Sequence, residues 1–173
     1  MRRIVGWLFL VVALGLAAIA VVAVLARFGD GPLGPLPGGP FRANAEDPSS
    51  LDRALAAKAN TIEIEVGKAK PRTRTTWIVA DDGTLYVPAG GAEYKTWPKE
   101  AEADGAMRIR IGGHVFALKA TRVTDPALHA KLIKTVSNKY GDGTGDPNGA
   151  MAQSTWFFRL DPETPGSVAS PQG

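Results

Sequence analysis

Cysteine is absent from the chain. Its absence excludes disulfide staples, thiolate metal sites and thiol nucleophiles, and it agrees with an address outside the cytoplasm. Histidine is nearly absent too. His114 opens a strand-like run, His129 lies in an amphipathic one, and no acidic cluster with metal-ligand spacing flanks either. Metal-assisted hydrolysis and a Ser-His-Asp triad therefore lack their parts. The loop GDGTGDPNG at 141–149 carries carboxylates but not the closing glutamate of a calcium loop.

Acid is missing from the first 29 residues, which hold Arg2, Arg3 and Arg27. These three supply the whole formal charge of +3, because residues 30–173 hold 17 basic and 17 acidic side chains. The sequence pI of about 9.3 is thus a property of the N-terminus. No basic footprint for nucleic acid exists in the remainder, and nucleic acid is not an expected partner.

Charge is also missing from Ile4 to Ala26, a run of 23 residues rich in Val, Ala and Leu. As a helix it spans roughly 34 Å, against about 30 Å for a bilayer core. A secretory signal usually has an apolar stretch of about 7–15 residues. Ala18-Ile19-Ala20 could pass as a cleavage site, but no polar segment precedes it. The expectation is one uncleaved transmembrane helix within residues 1–28, contacting the membrane through residues 4–26. The arginine pair before the run places the following domain outside the cytoplasm.

The segment 29–44 begins GDGPLGPLPGGP, and its glycines and prolines predict a stiff, extended linker. Ser49-Ser50 offers an N-cap for a short helix over LDRALAAKA. Strands follow by period-2 alternation or by turn signals at TIEIEV (61–66), TTWIVA (75–80), TLYVPA (84–89), MRIRI (107–111), HVFALKATRV (114–123) and STWFFRL (154–160). Thr124-Asp125-Pro126 starts the one substantial helix, with Leu128, Leu132, Ile133 and Val136 on its apolar face and Gly141 at its end. Six short antiparallel strands with so few helices predict a small closed barrel over 45–162. The Pro/Ser/Gly-rich tail, 163–173, is expected to be disordered.

Two stretches carry candidate chemistry. Lys68, Lys70, Arg72 and Arg74 fall at every second position, so an extended chain would send all four to one side. Such a face can hold a phosphate through charge-assisted hydrogen bonds, or it can be an exposed edge guarded by cations. The second stretch is EYKTWPKEAEADG (93–105), too long for a hairpin turn, which predicts an inserted helix. Lys95 and Lys99 would share a side of it. Trp97 could lie against a planar ligand or plug the core.

In order and spacing these parts resemble the flavin-type split-barrel proteins, the pyridoxamine-phosphate-oxidase-like superfamily. The likeness is carried by PRTRTTWIV, the Asp-Gly turn, LYVPAGG, YKTWPKEAEADG and MRIRIGGHVFALKATRVTDP, and within the superfamily it is nearest the nitroreductase-type deazaflavin-dependent oxidoreductases. Gly67-Lys68-Ala69-Lys70-Pro71 stands where that group has Gly-Arg-Lys-Ser-Gly. The resemblance implies a mainly β, six-stranded Greek-key split barrel, commonly a homodimer. It also implies FMN or a deazaflavin as cofactor, with Arg72, Arg74, Thr75, Lys95, Trp97 and Lys99 as its binding residues. The implied activity is hydride transfer to a small organic acceptor of nitro or quinone type. The alternative is a non-catalytic split barrel that binds a partner at the membrane surface.

Overall fold

The computed structural model describes residues 2–141 and 149–163, without the side chains of 2–6, 8, 9 and 151. Helix α1 (Arg2–Ala26) comes first. The hairpin strands β1 (Gly31–Leu33) and β2 (Leu36–Gly39) follow, then the short helix α2 (Arg53–Lys58). Next come β3 (Thr61–Val66), β4 (Arg72–Trp77), β5 (Val79–Asp81) and β6 (Thr84–Ala89). Helix α3 (Thr96–Asp104), strands β7 (Ala106–Ile111) and β8 (His114–Arg122), helices α4 (Pro126–Tyr140) and α5 (Ala150–Gln153), and strand β9 (Trp156–Pro162) complete the chain. All of the expected tail but Glu163 lies outside the described residues, as does most of the loop after Gly141.

Among the described residues nine strands form one antiparallel sheet in the order β1-β2-β4-β3-β7-β8-β9-β6-β5. The run β6-β9-β8-β7 is a Greek key. Nine strands correct the expected six, for two physical reasons. First, the run 72–81 breaks at Ile78: β4 pairs with β3, whereas β5 pairs with β6 at the opposite end of the sheet. The chain thus turns a barrel corner where one straight strand was expected. Ile78 loses its ladder partners there, and α4 replaces them. Tyr140 Oη lies 3.0 Å from the Ile78 N–H and 2.6 Å from its carbonyl. Lys139 Nζ donates to the carbonyls of Ile78, Ala57 and Ala59 at 2.6–2.8 Å.

Second, the Gly/Pro segment expected as a free linker is docked on the sheet as β1 and β2. Gly38 pairs with Thr73 at the sheet edge, where proline's missing donor is tolerated. Glycine is needed where the hairpin crosses itself, since a Cβ at Gly38 would collide with the Gly31 carbonyl. The alternation of β3 and β7 explains why the segment docks. Glu63 opposes Arg110 and Glu65 opposes Arg108 on the outer sheet face. That face is covered, not solvated.

Phe41 is 5% exposed and lies under both guanidiniums, 5.7 Å from that of Arg108 and 4.6 Å from that of Arg110. Its N–H donates to Glu65, which is itself buried. Arg108 pairs with Glu65 at 2.9 Å, and Arg110 bridges Glu63 at 2.5 Å and Asp30 at 3.1 Å.

Inside the barrel, Ile62, Ile64, Val66, Leu85, Val87, Met107, Ile109, Phe116, Leu118, Phe158 and Leu160 form the main core. Strand β6 is buried on both faces. Its other side, through Tyr86, joins a second cluster of Val79, Phe157, Leu132, Ile133 and Val136 beneath α4. Helix α4 is capped as expected, with Asp125 accepting from the Leu128 N–H at 2.8 Å, Pro126 in the first turn and Gly141 left-handed at the end. Helix α2 is capped two to three residues later than expected, by Asp52 rather than by Ser49 or Ser50.

Helix α1 has 25 residues. Among the described residues no helix is long and apolar enough to cross a membrane.

Phe41→Ala removes the side chain that the outer charged face closes over. A loss of about 3 kcal/mol in unfolding free energy is expected by chemical denaturation, together with faster tryptic cleavage after Arg42.

Candidate functional site

Residues that oppose each other across an antiparallel pair share a face. Val66 opposes Arg72, Ile64 opposes Arg74 and Ile62 opposes Thr76. Both arginines of β4 therefore point to the barrel side of the sheet, beside its apolar core. Strand β4 stands next to the short β2 edge, so their guanidiniums emerge at the open side of the barrel. They line a cavity of about 410 Å3 with Thr96 and Glu100 of α3, Leu36 and Pro37 of β2, and Ala23 and Arg27 at the end of α1.

Arg74 is the most constrained of these groups. Its guanidinium lies 5.6 Å from the Trp97 ring centroid, a cation–π contact. Its Nε is buried without a hydrogen-bond partner. Burial lowers the Arg74 pKa from its ordinary value, and the nearby Glu100 carboxylate acts against that shift. A half-buried cation that lines a cavity and has a donor unpaired can take an anion there through its guanidinium.

A second cavity, of about 530 Å3, lies on the other flank of the α3 N-terminus. It is lined by Thr75, Thr76, Trp77, Pro88, Gly90, Lys95, Ile133 and Val136, with Thr61 and Thr155. Its walls are mostly apolar, with one cation at the side. Trp77 is held rigid there by a parallel stack on Tyr140, 4.4 Å between centroids at 9°. Lys95 and Thr96 are neighbours in the chain and line one cavity each, so the start of α3 is a wall common to both. Lys95 occupies the cap position of α3 and makes no side-chain cap. The first-turn N–H groups therefore add a positive dipole end to the cations around them.

The six expected binding residues do not converge on one point. Arg72 and Arg74 share the first cavity, and Lys95 lines the second. Thr75 lines the second cavity too, yet its hydroxyl donates to the Gly34 carbonyl at 3.2 Å and ties down the β1–β2 turn. Trp97 is 3% exposed and packs on Phe158 at 5.8 Å, so it is the core plug of the two readings. Lys99 is exposed and lines neither cavity.

The four alternating cations do not share a face. Gly67, at φ +89°, ends β3, and Lys68 and Lys70 sit in an exposed bend before β4 begins. Sequence reasoning missed Thr76, Thr96 and Arg27. The alternation through Arg72 and Arg74 does extend to Thr76, which is the one signal that could have found it. Neither histidine lines the cavities. His114 pairs with Glu46 at 2.6 Å, and His129 Nε2 contacts the Thr155 carbonyl at 2.8 Å. Among the described residues no group of His, Asp and Glu could hold a metal.

The corner at Ile78, the Greek key and the helix inserted between β6 and β7 define a split-barrel fold. Solved structures share this fold. A candidate pyridoxamine 5′-phosphate oxidase of Listeria innocua matches at 17% identity and TM-score 0.50, over 64% of this chain and 90% of that one. A candidate 5-nitroimidazole antibiotic resistance protein of Bacteroides thetaiotaomicron matches at 9% identity and TM-score 0.51, over 69% and 81%. A conserved hypothetical protein of Mycobacterium tuberculosis matches at 15% identity and TM-score 0.51, over 71% and 85%. Identities this low establish the fold alone. The chain belongs to the family described as an uncharacterized protein conserved in bacteria (DUF2255), which matches residues 53–157. No curated protein matches.

The unused Nε of Arg74 makes a stability prediction. Arg74→Met replaces a half-buried, unbonded cation by an apolar chain of similar length. The ligand-free protein is expected to gain about 1 kcal/mol in chemical unfolding, while losing anion binding at this cavity.

Proposed function

We propose that the protein is a split-barrel oxidoreductase that binds a phosphorylated planar cofactor, FMN or a deazaflavin, around the N-terminus of α3. The observation that carries this reading is the inward-facing Arg72–Arg74 pair, in which the buried Nε of Arg74 has no hydrogen-bond partner. Arg72 and Arg74 hold the phosphate, with Thr96 and the first-turn N–H groups of α3 beside them. The larger cavity takes the ring system, with Trp77, Ile133 and Val136 as its apolar walls and Lys95 as the cation at its rim. Thr76 supplies a hydroxyl between the two. Both cavities fall in the size range of small-molecule sites, about 300–1,000 Å3.

When bound, a cofactor of this class supplies hydride transfer, here to a small organic acceptor of nitro or quinone type. The chain's own contribution is to orient the ring against Trp77, to keep water from its apolar face and to neutralise the phosphate. Lys95, exposed at the rim, is placed to attract an electron-poor, anionic or carbonyl-bearing acceptor. Thr75 and Lys99 have no role in this reading, and Trp97 acts only by supporting Arg74 from below.

A membrane anchor formed by residues 4–26, with the barrel outside the cytoplasm, belongs to the same proposal. It is supported by the uncharged run of the sequence and by the outward side chains of Leu14, Leu16, Ile19 and Leu25. A homodimer is implied by the superfamily likeness.

The second reading is a split barrel that binds a partner at the membrane surface without a cofactor. It is favoured by Trp97 and Phe116, which fill the barrel with the chain's own side chains. The arginine-lined cavity and the larger apolar one beside it weigh against it.

The absorption spectrum of the detergent-extracted full chain decides between the readings. A visible flavin or deazaflavin band that survives gel filtration is expected, and Lys95→Ala should weaken cofactor binding about tenfold, the loss of one charge-assisted contact. A colourless protein that takes up neither cofactor on addition removes the oxidoreductase reading.

A further inference from the structure

The arginine cavity has a wall that the split barrel does not supply. Ala23 and Arg27 belong to α1, and Leu36 and Pro37 to β2, whereas the family match begins at residue 53. Three arginines, Arg27, Arg72 and Arg74, therefore line one cavity from two separate parts of the chain. Among the described residues none of the three side chains makes a hydrogen bond or an ion pair, and Glu100 is the one acid on the lining. The lining thus holds a charge excess of two, with no acidic partner to quench it. Like charges drawn together without compensation raise the energy of the empty site, and an anion of matching charge lowers it.

The backbone at Arg27 is not free to withdraw. Gly39 of β2 abuts it, and a Cβ at Gly39 would meet the Arg27 carbonyl at 2.5 Å. The next residues are tied down in turn: Arg42 donates to the Phe28 carbonyl at 3.1 Å, and Asp30 pairs with Arg110 at 3.1 Å. The junction between α1 and the sheet is thereby fixed, while the Arg27 side chain remains exposed and uncommitted at the cavity edge.

We propose that helix α1 completes this phosphate site: Arg27 closes with Arg72 and Arg74 on a phosphate monoester, so that ligand binding and docking of α1 on the barrel strengthen each other. A monoester is the matching chemistry, since near neutral pH it carries a charge of about −1.5 to −2, against an excess of two. It also offers three terminal oxygens to three guanidiniums, each able to bind in a forked geometry. A diester, with one negative charge and two free oxygens, leaves one arginine unmatched. The inference rests on the reading of the Arg72–Arg74 pair as a phosphate holder. The monoester can come from a soluble cofactor such as FMN or from a lipid headgroup such as phosphatidic acid.

The coupling makes Arg27 testable in the full chain in neutral detergent, with three probes: inorganic phosphate, FMN and phosphatidic acid in mixed micelles, against phosphatidylcholine as blank. Two readouts are taken, probe affinity and the rate of tryptic cleavage after Arg42, which reports release of the α1 junction. Arg27→Gln should weaken phosphate binding about tenfold, as the loss of one charge-assisted contact. It should also abolish the slowing of cleavage that phosphate produces in the wild type. Lys134→Gln, which removes an exposed cation on α4, should change neither.

Equal effects of the two substitutions, or no saturable response to any probe, overturn the proposal. FMN binding that is undiminished by Arg27→Gln overturns it while leaving the cofactor reading intact. Arg27-dependent binding of phosphate and phosphatidic acid without binding of FMN sustains it and removes FMN from the cofactor reading.

Discussion

Much of the architecture around the candidate site depends on the burial of Trp97. The indole fills the open side of the barrel from α3 and rests on Phe158 beneath. Its opposite side supports the Arg74 guanidinium. A cation at that depth loses hydration, and the ring face returns part of the loss while leaving the N–H edge unsatisfied. Core packing and ligand chemistry are thus joined at one residue. The plug that keeps water out of the barrel also holds the charge that faces the cavity, and it orients the start of α3 between the two cavities.

The outer face of the sheet follows a different logic. Glu63, Glu65, Arg108 and Arg110 alternate as solvent-facing residues do, yet they form a paired charged layer under Phe41 and the residues beside it. Each charge there has a partner across the strand boundary, and Glu65 is further satisfied by a backbone N–H. The contrast with Arg27, Arg72 and Arg74 is the reason to assign function to one group and structure to the other. Both sets are arginines beside a sheet, but the outer set is paired in full, whereas the three arginines of the cavity share the single acid Glu100.

Much of the barrel was legible in the sequence because its strands follow period two and its turns carry Asp-Gly or Gly-Gly. The cap at Asp125-Pro126 and the inserted helix after Lys95 were legible for the same local reasons. What escaped was set by tertiary pairing. Ile78 has nothing local to mark it as a corner, since its backbone partners come from Lys139 and Tyr140, some sixty residues away. The Gly/Pro segment reads as linker because edge strands relax the usual strand preferences. At the site, alternation correctly placed Arg72 and Arg74 together. It failed for Lys68 and Lys70 because the bend after Gly67 ends the extended run. No pattern within residues 60–140 could have pointed to Arg27, which arrives from another part of the chain.

The four residues from Arg27 to Asp30 join α1 to the sheet, and their number has a geometric consequence. Each residue of an α-helix advances the azimuth by about 100°. One residue more or fewer at this junction would swing Ala23 around the helix axis and present a different side of α1 to the barrel. The junction therefore works as a phase setting: its length, rather than its chemistry, selects which side of the N-terminal helix meets the arginines.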